Sequence, residues 1–216
     1  MLAGVNGAGK SSLLGETVLA EGGVYYNPDA MARHLRGQNP ALGTEEANSE
    51  AWRLGVEGLR HAVASGQHYV FETTLGASTI TGILLEAARD GHDVAMLFVG
   101  LEGPELHLAR VRARVAAGGH DIPEARVRAR YDSSRANPIR LLPYLSSLRL
   151  FDNSAEADLA AGQPPAPREL LRMGRGVIQL LARATELPVW ARPVVMAAIQ
   201  LDPSGAWRLF SSKRPR

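Results

Sequence analysis

Residues 4–11 have the composition and spacing of a phosphate-binding loop. They read GVNGAGKS and fit the pattern G-x-x-x-x-G-K-[ST]. In such a loop the glycines let successive backbone N–H groups turn toward a polyphosphate, the lysine reaches the β- and γ-phosphates, and the serine hydroxyl holds Mg²⁺. We therefore expect a nucleoside triphosphate and Mg²⁺ to bind here, in contact with Gly4, Asn6, Gly7, Ala8, Gly9, Lys10, Ser11 and Ser12.

Two carboxylates follow strand-like segments and could take part in phosphoryl transfer. Asp29 comes just after the predicted strand 24–26, and Glu72 just after the buried strand 68–71. Open α/β sheets bind ligands at the carboxyl ends of their strands, so both side chains are expected near the phosphate loop. An acidic group there can bind Mg²⁺, accept a proton or bind the substrate. The structural alternatives are helix capping for Asp29 and a strand-end salt bridge for Glu72.

Arginine is concentrated between residues 110 and 140, where eight arginines face three acidic residues. Two helices joined near residues 118–120 would form a positively charged lid, at about 105–140, that closes over the transferring phosphate. We expect Arg114 and Arg130 to act on the phosphate. Arg128 can pair with Asp132 four residues later, which favours a structural role. His120 could shuttle a proton or cap a helix.

Alternation of strand-like and helix-like segments predicts an α/β fold with about five parallel strands and helices on both faces of the sheet. Only residues 1–3 precede the phosphate loop, so we expect the first strand to be shortened at its start. Residues 169–185 are predicted to be helical, as part of a helical C-terminal extension over residues 156–216.

Composition bounds the function classes. The 216 residues suit one domain, the absence of cysteine excludes disulfide and thiolate chemistry, and no signal peptide or long apolar run is present. A cytoplasmic protein without membrane association is expected. The net charge is only +2 and aromatic residues make up 6% of the chain, with none interleaved among the lid arginines. Nucleic acid is therefore not expected as a partner.

Six segments together resemble the zeta-toxin family of P-loop kinases. The segment RVAAGGHDIP (114–123) is much more specific than a phosphate loop, which very many nucleotide-binding proteins share. The others are GVNGAGKS (4–11), NPD (27–29), FETTL (71–75), RARY (128–131) and FDNS (151–154). The resemblance covers residues 1–154 and implies a P-loop kinase domain at residues 1–155.

The resemblance implies ATP-dependent phosphorylation of the amino-sugar 3′-hydroxyl of UDP-N-acetylglucosamine, and a separate antitoxin protein as a partner. It assigns Asp29 as the general base. It assigns substrate binding to Glu72 with Thr73 or Thr74. Arg114 and Arg130 would neutralise charge on the γ-phosphoryl group, although Arg128 lies two residues from the second position.

Two alternatives remain open from the sequence. The acceptor could be another small hydroxylated molecule, such as an antibiotic, a nucleoside or a sugar. The chain could also be an ATP-binding regulator without kinase activity that binds nucleic acid through its arginine-rich stretch, in which case its binding should depend strongly on salt.

Overall fold

The structure is a computed structural model that describes residues 1–11, 25–119, 121–155 and 167–212. Its strands are β1 (Leu2–Ala3), β2 (Tyr25–Tyr26), β3 (Val70–Thr73), β4 (Ala95–Gly100), β5 (Ser147–Asp152), β6 (Arg168–Gly174) and β7 (Val177–Leu181). They form a seven-stranded sheet with the order β2-β3-β1-β4-β5-β6-β7. The first five strands are parallel, whereas β6 and β7 are antiparallel to their neighbours.

Helices flank this sheet. In the described ranges the α-helices are α1 (Pro28–Gln38), α2 (Thr44–Ser65), α3 (Ser78–Arg89), α4 (Gly103–Ala116), α5 (Glu124–Leu141), α6 (Arg192–Leu201) and α7 (Pro203–Ser212). The predicted α/β class is confirmed. The helix predicted after Ser11, the residue His120 and most of the predicted linker at 156–168 lie outside the described residues. Within the described ranges, no helix combines the length and apolar character needed to cross a bilayer.

Strand β1 is two residues long and lies in the middle of the sheet. Its Leu2 is opposite both Glu72 of β3 and Leu97 of β4. The backbone N–H of Gly4 donates to the carbonyl of Thr73 at 3.2 Å, which continues the pairing with β3. Because parallel strands end at the same edge, the phosphate loop after β1 meets the ends of β3, β4 and β5 there.

The prediction of a helix at 169–185 is wrong. This stretch contains β6 and β7, joined by the two-residue turn Arg175-Gly176, whose φ angles are 45° and 78°. A two-residue turn with both φ angles positive matches the twist of the flanking strands and favours a hairpin. The adjacent Leu170 and Leu171 are both buried, at a point where the pairing of β6 with β5 shifts register. The sheet therefore has two more strands than predicted.

The largest buried cluster joins both parts of the chain. It contains Leu84, Phe98 and Leu150 together with Leu171 and Val194. Trp190 is 1% exposed, and its ring lies where a Cβ on Gly100 would stand, at 2.4 Å. Its indole N–H also donates to Asp152 Oδ1 at 3.1 Å. Residues beyond 167 thus contribute to the same core as the parallel strands, and the proposed division at 155/156 stays a prediction.

Candidate active site

The phosphate loop has a backbone shape that fits a polyphosphate. Gly9 has a φ angle of +86°, and a Cβ at that position would lie 2.6 Å from Asn153 Nδ2. The Asn153 amide donates to the carbonyl of Ala8 at 2.9 Å. On the other side, His107 Nδ1 lies 2.9 Å from the carbonyl of Asn6. Helix α4 and the segment after β5 therefore hold the loop open as a cradle of backbone N–H groups.

Lys10 and Ser11 stand at the end of this loop, where a helix begins. The Lys10 side chain is 6% exposed, and its Nζ lies 3.4 Å from Glu72 Oε1. Burial lowers the pKa of Lys10, and the nearby carboxylates of Glu72 and Asp29 oppose that shift. The hydroxyl of Ser11 donates to Glu72 Oε2 at 2.8 Å. Ser12, the remaining predicted contact, lies outside the described residues.

Glu72 collects hydrogen bonds from several elements. Besides Ser11, its Oε2 accepts from the Tyr25 hydroxyl at 2.5 Å and from Asn27 Nδ2 at 2.8 Å. Burial raises the pKa of Tyr25 well above its usual value, and the Glu72 carboxylate adds to the shift, so Tyr25 stays protonated and donates. These contacts direct Glu72 toward the phosphate loop. The sequence did not indicate Tyr25 as a partner, because only the packing of β2 beside β3 brings it there.

Asp29 lies in the first turn of α1 and lines the cavity described below. The helix is capped by Asn27, whose Oδ1 accepts from the backbone N–H of Ala30 at 3.1 Å. The alternative role of Asp29 as the helix cap is therefore filled by another residue. Its Oδ2 lies 3.8 Å from Arg114 Nη1, and 38% of its side chain is exposed.

Arg128 and Arg130 both lie on α5, but their side chains have different partners. Arg130 donates from Nη1 to Asn6 Oδ1 at 3.2 Å, and burial lowers its pKa while the charge of Arg126 adds to that shift. Arg128 points elsewhere and pairs with Glu124 at 2.7 Å and with Glu105 at 2.8 Å. The predicted pairing of Arg128 with Asp132 is wrong, because Arg128 meets these nearer carboxylates and Asp132 pairs with Arg135.

A cavity of about 500 Å³ adjoins the phosphate loop. Predicted site residues from separate elements meet there, namely Asn6, Lys10, Asp29, Glu72, Thr73, Thr74 and Arg130. Thr73 is 8% exposed, and its Oγ1 accepts from the backbone N–H of Leu75 at 2.9 Å. Arg114 reaches Asp29 from the end of α4 but is not among the residues that line the cavity.

The far side of the cavity comes from α2, which the sequence did not connect with function. Trp52 lines it and is 45% exposed, and Asn48 lies one turn earlier. Glu45 and Arg126 form an ion pair of 3.0 Å that joins α2 to α5. The α2 sequence shows only an amphipathic helix. Which of its residues face the cavity depends on how α2 packs against α1.

The oxygen donors beside the loop suit a hard divalent cation. In the described parts of the chain, no group of three or more histidine, aspartate or glutamate side chains could hold a metal. Mg²⁺ in nucleotide sites usually has one or two protein oxygens and completes its coordination with phosphate and water. The Ser11 hydroxyl and the Glu72 carboxylate provide such oxygens next to the cradle.

No family model matches the chain. Among solved structures, it resembles the AvrRxo1-ORF1:-ORF2 complex with ATP, with a TM-score of 0.63 and 17% identity over 83% of this chain. The chain spans 59% of the length of that protein. It also resembles a structure of the PezAT chromosomal toxin-antitoxin system of Streptococcus pneumoniae, with a TM-score of 0.53, 14% identity, and coverage of 97% and 85%.

These likenesses show that the chain has the same α/β fold as those proteins. A protein of Haemophilus influenzae described as uncharacterized is 35% identical over 128 residues, which are 59% of this chain and 88% of that protein. The chain belongs to the same family as this Haemophilus protein.

Proposed function

We propose that the chain is an ATP-dependent kinase that phosphorylates a hydroxyl group of a small molecule. The observation that carries this proposal is the cavity of about 500 Å³ lined by Lys10, Asp29 and Arg130 together. Lys10 and Arg130 would supply positive charge to the phosphates, and Asp29 would supply a carboxylate to the acceptor, around the same cavity. Phosphoryl transfer needs these parts in reach of each other, with little other chemistry from the protein.

The phosphate loop and Lys10 would bind the β- and γ-phosphates of ATP. Ser11 would hold Mg²⁺, and Glu72, hydrogen-bonded to that serine, would orient it. When bound, Mg²⁺ supplies positive charge that neutralises phosphate oxygens. Because Glu72 also lines the cavity, we propose that it binds the substrate together with Thr73 or Thr74, as well as orienting Ser11.

Asp29 would act as the general base. Its carboxylate accepts the proton of the acceptor hydroxyl, whose oxygen forms a bond to the γ-phosphorus while the bond to the bridging oxygen of ADP breaks. Arg130 approaches from the loop side and Arg114 from the side of Asp29, at 3.8 Å. Their charges would stabilise the negative charge on the transferred group.

For the acceptor we propose UDP-N-acetylglucosamine, phosphorylated on the 3′-hydroxyl of its amino sugar. Support comes from the segment that carries the most specific resemblance to zeta toxins, because Asp121, Ile122 and Pro123 of that segment line the cavity. A separate antitoxin protein is proposed as a partner, in line with the toxin-antitoxin system named for one structural neighbour. The expected cytoplasmic location stays a prediction.

The test is ADP release from ATP and Mg²⁺, measured with and without UDP-N-acetylglucosamine. We expect stimulation by the sugar nucleotide and a phosphorylated product in the mass spectrum. Lys10→Ala is the control and should lose nucleotide binding and transfer together. Stimulation by another hydroxylated acceptor instead would support the proposed kinase activity and contradict UDP-N-acetylglucosamine as the substrate. ATP binding with no transfer to any acceptor would favour the regulator.

A further inference from the structure

One face of α5 carries polar side chains toward the interior. Arg130, Ser134 and Asn137 are spaced by four and three residues, which places them in one row. Ser134 is 0% exposed and Asn137 is 6% exposed. A polar group buried to this extent costs free energy unless it has a hydrogen-bond partner. Their partners therefore indicate what this row of side chains does.

Ser134 and Asn137 each have a hydrogen-bond partner at the end of β3, in residues 73–76, called here the β3 loop. Ser134 Oγ donates to the carbonyl of Thr74 at 2.5 Å, and Asn137 Nδ2 donates to the carbonyl of Leu75 at 2.7 Å. Two successive carbonyl groups of the β3 loop are thus fixed by one helix. All residues of the β3 loop line the cavity.

The β3 loop has a conformation that needs support. Leu75 has a φ angle of +53°, which a residue with a side chain rarely adopts, and it is 1% exposed. Such a conformation persists when the surroundings determine it. At Gly76, a Cβ would lie 2.9 Å from Arg130 Cγ. The β3 loop therefore packs directly on the arginine that reaches the phosphate loop.

We propose that Ser134 and Asn137 are positioning residues, which hold the β3 loop in the shape that binds the acceptor and keep it in register with Arg130. This inference rests on the proposed function, since it assigns the β3 loop to the acceptor. Neither side chain is among those that line the cavity, so both act through the backbone of the β3 loop. The C-terminal half of α5, which belongs to the predicted lid, is therefore hydrogen-bonded to the β3 loop.

The experiment compares Asn137→Leu and Ser134→Ala with the wild-type chain in steady-state kinetics. Loss of one hydrogen bond to a buried carbonyl should raise KM for UDP-N-acetylglucosamine about tenfold, while KM for ATP changes by less than about twofold. Ser133→Ala is the matched control, because its hydroxyl donates to two carbonyls of its own helix, those of Ala129 at 3.3 Å and Arg130 at 3.5 Å. Ser134→Thr, which keeps the hydroxyl, should restore most of the affinity.

A second measurement does not depend on turnover. The ¹³Cα and ¹³Cβ chemical shifts of Leu75 report its left-handed conformation, and they should move toward extended values in Asn137→Leu and stay unchanged in Ser133→Ala. Unchanged Leu75 shifts in a folded Asn137→Leu variant, or equal changes in both KM values, would overturn the inference. If the wild-type chain phosphorylates no acceptor, the proposed function fails, and the Leu75 shifts still decide whether α5 holds the β3 loop.

Discussion

Lys10 and Asp29 line the same cavity with opposite charges, and their surroundings differ. The Lys10 side chain is 6% exposed and lies against Glu72, whereas the Asp29 side chain is 38% exposed and lies 3.8 Å from Arg114. A buried ammonium group has lost most of its contact with water, so a bound phosphate can take the place of the lost hydration. A more accessible carboxylate at the same cavity suits an acceptor that enters from solvent.

Asp29→Asn tests the proposed base, since it keeps the shape and removes the proton acceptor. We expect kcat to fall about a hundredfold to ten-thousandfold, the usual range for a positioned base. Binding of ATP, measured by calorimetry, should stay within about twofold, since Asp29 is proposed to contact the acceptor and not the nucleotide.

Asp132→Asn is the control for this substitution. Asp132 lies on the outer surface of α5, where 83% of its side chain is exposed, and pairs with Arg135. Its replacement should leave kcat and ATP binding unchanged. Near-full activity of Asp29→Asn would exclude Asp29 as the base.

At the level of elements, α5 carries two arginines whose side chains contact different parts of the molecule. Arg130 faces the phosphate loop and Arg128 faces two exposed carboxylates. The helix thus distinguishes positions that the sequence left ambiguous, since residues two apart on a helix point in different directions.

Arg130→Met and Arg128→Met form a matched pair of variants, because methionine keeps part of the apolar stem and removes the charge. We expect Arg130→Met to lower kcat about a hundredfold or more, through loss of charge next to the transferred phosphate. Arg128→Met should change kcat by less than about twofold, as expected for an exposed ion pair. Equal losses in the two variants would contradict the assignment, as would a larger loss for Arg128→Met.

The phosphate loop is the second element with a direct test. Gly9→Ala introduces a Cβ 2.6 Å from Asn153 Nδ2 at a φ angle of +86°, so we expect ATP affinity to fall about tenfold or more. Gly82→Ala on α3 is the control, because a Cβ there meets nothing within 4 Å and alanine favours a helix. Unchanged ATP affinity in Gly9→Ala would show that the cradle is not the nucleotide site.

At the scale of the whole molecule, the buried His107 links the site to stability. It is 1% exposed, and its ring stands edge-on to Tyr131 with 5.8 Å between the centroids. Burial lowers the pKa of His107 from 6.5 to about 4, against the hydrogen bond to Asn6, and the positive charges of Lys10, Arg110 and Arg135 lower it further. Between these pKa values the unfolded chain binds more protons than the folded one.

Above about pH 6.5, His107 should therefore not lower the free energy of unfolding. As the pH drops from about 6.5 to about 4, protonation of His107 in the unfolded chain should lower it by about 3 kcal/mol. Urea denaturation at a series of pH values measures this. His107→Gln should flatten the pH dependence over this range, whereas His61→Gln, on the exposed surface of α2, should not. The same slope in wild type and His107→Gln would show that other groups cause the acid sensitivity.

Much of the candidate site was predictable from the sequence. Its residues follow parallel strands, and the ends of parallel strands meet at one edge of the sheet. The phosphate loop, Asp29 and Glu72 each have such local signals. The contribution of α2 was not predictable, because the position of Trp52 depends on helix packing. The hairpin at β6 and β7 was missed because a Leu-Leu pair is compatible with either element, although the Arg175-Gly176 turn was a usable signal.

The contact between Trp190 and Gly100 has a consequence for sequence variation among relatives. Gly100 ends β4, and the Trp190 ring stands where any larger side chain would begin, at 2.4 Å. A replacement at position 100 therefore requires a smaller residue at position 190, about ninety positions away. We expect the two positions to co-vary in an alignment of related chains, with glycine at the first wherever tryptophan occupies the second.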